Sequence, residues 1–196
     1  LLLVVVGLVG LVIGFLHTSA GADGLRQRLE QRLGGRFTTK PQLKGLTFSL
    51  SQGLGLSGLH IPGNDGQDAI VVERLLVDLR WKKTLGGVPT LALLEIKGLR
   101  VNVVSKADGT SNLTGVYRER RLEHLVIEKL SVTDVNVTVQ KPDGTRIDVT
   151  NLSLDGDADV KPPEKTFEVG LKVAVQKLVL DKPGLHLEGD ALGIAS

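Results

Sequence analysis

Gly53-x-Gly55-x-x-Gly58 is a spacing that, as a bare pattern, signals nucleotide chemistry. Glycines so placed form the turn on which a dinucleotide pyrophosphate rests. A helix must open after them, and an acidic residue about 20 positions later holds a ribose hydroxyl. Asp78 stands near that distance. The helix is missing. In its place the chain runs His60-Ile61-Pro62-Gly63-Asn64-Asp65-Gly66, whose proline and glycines break any helix that would offer N-terminal amides to phosphate. The glycines are better explained as bends or bulges inside a strand. Asp78 falls on the polar face of the strand that contains it.

The other reactive side chains form no constellation. His17, His60, His124 and His186 are scattered, and Cys is absent, so neither a zinc site nor a catalytic histidine is expected. There is no Gly-x-Ser-x-Gly elbow and no phosphate-binding loop ending in Gly-Lys-Ser/Thr. The expectation is a protein that is not an enzyme and carries no cofactor. Asn112-Leu-Thr114, Asn136-Val-Thr138 and Asn151-Leu-Ser153 match the glycosylation sequon, a triplet that arises often by chance. With 24 Lys and Arg against 22 Asp and Glu, interspersed after residue 40, the chain announces no long basic face, and nucleic acid is not expected as a partner. The lack of Cys excludes disulfides but suits either redox compartment. Met is also absent and Leu comes first, so the 196 residues are expected to be part of a longer protein.

The elements that would carry any function come in three parts. Residues 1–16, LLLVVVGLVGLVIGFL, are apolar on every side and as a helix would cover about 24 Å. Residues 1–20 are expected to be a transmembrane anchor, with a cleaved signal peptide ending near Thr18-Ser19-Ala20 as the alternative. In residues 21–36, Leu25, Leu29 and Leu33 recur four apart between Arg26, Arg28, Glu30 and Arg32, and Gly34-Gly35 is a stop. This is a short amphipathic helix. Either it lies near lipid headgroups, with Arg26, Arg28, Arg32 and Arg36 as membrane-surface contacts, or it caps the following sheet. Arginines at that place ordinarily argue for a cytosolic side.

From residue 37 the period is two. Leu46, Phe48 and Leu50 alternate with polar residues, as do Leu75, Val77 and Leu79; Leu99, Val101 and Val103; Val135, Val137 and Val139; and Phe167, Val169, Leu171, Val173 and Val175. Asp108-Gly109 and Asp143-Gly144 are hairpin signals, and Pro162-Pro163 and Lys182-Pro183-Gly184 mark further reversals. Arg118-Glu-Arg-Arg121 reads as a charged connector. LEIKGLRVNVVSKADGT at 94–110 and VIEKLSVTDVNVTVQKPDGT at 126–145 share a Val-Asn-Val core and a Lys-x-Asp-Gly-Thr close. Units of this kind bury a face only against their neighbours. The expected fold is all-β: an elongated, curved antiparallel sheet forming a groove over 37–196. The same aliphatic faces would equally serve as the core of an ordinary sandwich.

The order of these pieces resembles the AsmA-like family of Gram-negative envelope proteins. The resemblance rests on the apolar N-terminal helix, Leu33-Gly34-Gly35-Arg36, the strand at 46–50, Gly55-Leu56-x-x-x-Leu59-x-Ile61, the strand at 69–79, and LLEIKGLRVNVVSKADGTSNLTG at 93–115. It covers about residues 1–115, with looser repeat-like similarity to 196. It implies a single-pass inner-membrane anchor and a periplasmic β-groove that carries phospholipid acyl chains between inner and outer membranes. Phospholipids and the membrane are the implied partners. The residues expected to line the groove are Leu75, Val77, Leu79, Val101, Val103, Val135, Val137, Val139, Val169, Leu171 and Val173. Val137→Asp is then expected to block acyl passage with little loss of anchoring. The alternative is an envelope scaffold or assembly factor that binds protein partners by adding strands to its sheet edge.

Overall fold

The computed structural model describes residues 37–49, 53–80, 82–83, 88–117, 125–161 and 166–195. The expected anchor at 1–20, the amphipathic helix at 21–36 with its four arginines, and the Pro162-Pro163 reversal lie outside the described residues. The described part is all-β. Eight strands form one sheet in chain order: β1 (Gln42–Ser49), β2 (Gly53–Pro62), β3 (Asp68–Leu79), β4 (Thr90–Val104), β5 (Leu125–Gln140), β6 (Arg146–Lys161), β7 (Thr166–Lys182) and β8 (Leu185–Ala195). Chain order equals spatial order because most connections are short reversals, which suit antiparallel neighbours.

One pair departs from the expected antiparallel sheet. β4 and β5 run parallel, with Val101 beside Val137 and Val103 beside Val139, so the sheet is mixed. The reason lies in residues 105–124, a connection long enough for the crossover that parallel strands require. Asp108-Gly109 does reverse the chain: Lys106 N donates to Thr110 O at 2.8 Å and Thr110 N to Asp108 Oδ1 at 2.9 Å. The returning arm makes only the bridge Ser105↔Ser111 before leaving β4. It then crosses the ends of β2 and β3, where Asn64 N donates to Asn112 O and Thr38 N to Val116 O, and Tyr117 meets Phe37 edge-on with centroids 5.8 Å apart. Asn112, buried at 2 % exposure, fastens this path. Its Oδ1 accepts from Val104 N at 2.9 Å and its Nδ2 donates to Asn102 O at 3.0 Å. The same Lys-x-Asp-Gly-Thr turn at 141–145, with Lys141 N to Thr145 O at 2.8 Å, does close a β5–β6 hairpin.

The two repeated segments lie side by side as β4 and β5, so the sequence repeat is a spatial repeat as well. The core sits on β2–β5. Leu54, Leu56, Leu75, Leu94, Ile96 and Val132 are at most 2 % exposed and occupy registered positions on neighbouring strands, whose side chains share a face. The Gly53-x-Gly55-x-x-Gly58 triplet lies wholly within β2, as its surroundings require.

Candidate functional site

Aliphatic rows run from strand to strand through the sheet. One row passes from Leu56 through Leu75, Ile96, Val132, Leu154 and Val173 to Ile194. A second passes from Ile61 through Ile70, Val101, Val137 and Val149 to Leu178. A third joins Val103, Val139, Ile147, Leu180 and Leu187. Along the first two rows the described side chains are buried up to β4 or β5 and then become progressively more open, and the third row lies on the open part throughout. Leu75 and Ile96 have no exposed surface, Leu154 and Val173 are half-buried, and Leu187 is 56 % exposed.

The residues expected to line a groove therefore divide. Leu75, Val77, Leu79, Val101 and Val135 are buried in the core cluster, with no side exposed to an incoming ligand. Val103, Val137, Val139, Leu171 and Val173 are half-buried on the more open part. Val169 belongs to β7, but its side chain is outside the description. The open part also contains Ile147, Val149, Leu152, Leu154, Leu178, Leu180 and Leu187, which the sequence reading did not single out. Ile147 and Val149 alternate with polar residues, as do Leu185 and Leu187 after the Lys182-Pro183-Gly184 reversal. That short alternation is the signal that would have found them.

The polar groups at this end pair among themselves. Arg146 bonds Asp148 at 2.6 Å, and Thr138 Oγ1 donates to the same carboxylate at 2.7 Å. Arg146 holds the Asp148 carboxyl below the usual carboxylate range, against the opposing effect of partial burial. Lys177 reaches Glu188 at 2.6 Å and lowers that carboxyl, while the lysine is itself raised. His186 stands between two carboxylates, bonded through Nδ1 to Asp181 and 3.6 Å through Nε2 from Glu188. Asp181 is the chief reason its ring is raised above the ordinary histidine value. His60 pairs with Asp68 at 2.7 Å, far along the sheet in β2. These are exposed ion pairs, worth little individually to stability. Among the described residues no group of three His, Cys, Asp or Glu is positioned to hold a metal ion.

This surface offers, chemically, contact with an apolar chain. Each CH₂ moved from water onto such a face gains about 0.8 kcal/mol, so a sixteen-carbon acyl chain left in water is worse off by on the order of 12 kcal/mol. The comparisons add no relative: no protein-family model, no curated protein and no solved structure matches this chain.

Proposed function

We propose that the chain shields phospholipid acyl chains along the half-open aliphatic face of β5–β8, as part of a groove-forming lipid-transfer protein anchored in the inner membrane of a Gram-negative envelope. The observation that carries this reading is the continuation of the core's aliphatic rows beyond the closed core, onto strands where the same side chains are half-exposed. A surface of that kind is costly to leave in water and marks a binding face. The headgroup stays in solvent while the acyl chain lies along the rows. The apolar run at 1–16 and the ordered resemblance to AsmA-like proteins support the anchor and the periplasmic side. No step in this activity makes or breaks a covalent bond.

The test is lipid extraction from the purified full chain, read by mass spectrometry, with Leu178→Asp as the variant. Leu178 is 36 % exposed, so a charge there spares the core. Val137 packs against the core cluster, and a charge at that position acts on folding as well. Phospholipid that accompanies the native chain and is depleted in the Leu178→Asp protein is the expected result. A folded native chain without lipid overturns the reading. A stoichiometric protein partner in its place favours strand addition at β8, which among the described residues pairs with β7 alone.

A further inference from the structure

The aliphatic runs of β2–β7 share an irregularity. In each strand the spacing of two is interrupted by a step of three near mid-sheet: Leu56 to Leu59 in β2, Leu75 to Val72 in β3, Ile96 to Leu99 in β4, Val132 to Val135 in β5, Leu152 to Val149 in β6 and Val175 to Leu178 in β7, with a second step in β4 (Leu91 to Leu94) and in β5 (Ile127 to Leu130). In a regular strand a step of three sends the second run to the opposite face. In β2, β3 and β4 that does not happen. Leu56 and Leu59, Leu75 and Val72, and Ile96 and Leu99 are all at most 2 % exposed and belong to one core cluster.

The steps form a line across the sheet. Gly58 lies between the pairs Ser57↔Arg74 and Leu59↔Val72, Gly98 between Arg74↔Lys97 and Val72↔Leu99, and Asp134 directly follows Thr133, the partner of Lys97. At β6 the line moves over by one row, because Val135 pairs with Leu152 and Val137 with Val149, and the β5–β6 register shifts there. At this line the backbone turns left-handed on β2, β4, β5 and β6, with φ 60° at Gly58, 67° at Gly98, 56° at Asp134 and 53° at Asn151, while β3 and β7 make the step without a positive φ. Asp134 and Asn151 are the only non-glycine residues with positive φ among those described. Asp and Asn are the side chains that tolerate this region best. Both are secured to neighbouring strands, Asp134 facing Lys97 at 3.7 Å and Asn151 Nδ2 donating to Gln176 Oε1 at 2.6 Å.

We infer that Asp134 and Asn151 are positioning residues, the left-handed points that re-aim the far halves of β5 and β6 so that Val137, Val139, Val149 and Ile147 face the same side as the core. Without them the aliphatic face would stop at the crease, and its continuation would open on the opposite side of the sheet. The meaning for lipid rests on the function proposed above. The re-aiming itself concerns only the backbone and is tested without lipid.

The chain has no native cysteine, so paired substitutions report cleanly. Val137→Cys with Val149→Cys probes the far side of the crease, and Val132→Cys with Leu154→Cys the near side, each pair being cross-strand partners in the full chain. Both pairs are expected to oxidise to a disulfide in the native background and with Asn151→Gly. With Asn151→Val, a β-branched residue that resists positive φ, the near pair still forms while the far pair is lost. A far pair that oxidises as before, in a variant whose near pair shows it is folded, overturns the inference, and so does a far pair that never forms in the native background. If the valine variant does not fold, Asn151→Gly decides. A thermal midpoint at or above the native one supports a backbone role. A clear fall shows that the bond to Gln176 is what position 151 supplies, and overturns the inference.

Discussion

His186 is the side chain whose titration falls nearest neutrality with a resolved cause. Asp181 and then Glu188 favour its protonated form, raising it above the ordinary value of about 6.5. A raised value in the folded state means stabilisation that is fully present below the ordinary value and lost as pH rises through the folded one. His186→Gln is therefore expected to lower the thermal midpoint more at about pH 5.5 than at about pH 9, since only the imidazolium carries the charge and the two N–H donors that engage both carboxylates. Equal effects at both pH values would mean that the ring acts by shape alone. None of this pairing was visible in the sequence, where His186 is one of four scattered histidines, because it depends on the β7–β8 register that sets Asp181 opposite His186. The lack of a nucleotide turn at Gly53 was legible, since Pro62 and Gly63 stand where the helix would have to begin. So were the turn aspartates. Asp108 and Asp143 each accept a hydrogen bond from the backbone N–H two residues on, at 2.9 Å, and each is held below the ordinary carboxylate value chiefly by the following threonine.

Strands with a window of strict alternation at least three aliphatic residues long announce themselves, and β3, β4, β5 and β7 were readable from the windows 75–79, 99–103, 135–139 and 167–175, each lying on one side of a phase change. β6 was not. Its apolar residues Ile147, Val149, Leu152 and Leu154 change phase at Thr150-Asn151, and four aspartates dilute them, so no window of strict period two spans the strand. The parallel β4–β5 pair was hidden by a turn that looks the same in both repeats. Lys106–Thr110 and Lys141–Thr145 make equivalent bonds, yet only the second leads into a strand that returns along its predecessor. Local turn chemistry sets the reversal, and the length of the connection after the turn sets the partner. Burial separates the strands energetically. Leu75→Ala in β3 removes side-chain volume from a site with no exposed surface and is expected to cost about 2–5 kcal/mol. Val173→Ala in β7, half-buried, is expected to cost no more than about 1–2 kcal/mol. Denaturant titration of the two variants checks this, and equal losses would mean that β7 is packed as tightly as β3.

One sheet combines a closed aliphatic core on β2–β5 with a more open aliphatic face on β5–β8, and registered rows join the two parts into one surface over β2–β8. Burying the first part supplies the stability that allows the second to remain partly open, since hydrophobic burial is the main favourable contribution to folding. The all-β class and the aliphatic face were legible from periodicity. The point at which the face stops being core and becomes surface was not, because Val135 and Val137 look alike in sequence while one is fully buried and the other half-exposed. Whether the open part holds acyl chains is decided by placing a photo-crosslinking residue at Val173 on the aliphatic face, and separately at Asp155 on an exposed position of β6, in the full chain expressed in cells, with mass spectrometry of the adducts. Phospholipid adducts at 173 and none at 155 are predicted. Adducts absent from both positions in a folded protein, or equal at both, would contradict acyl-chain binding on this face.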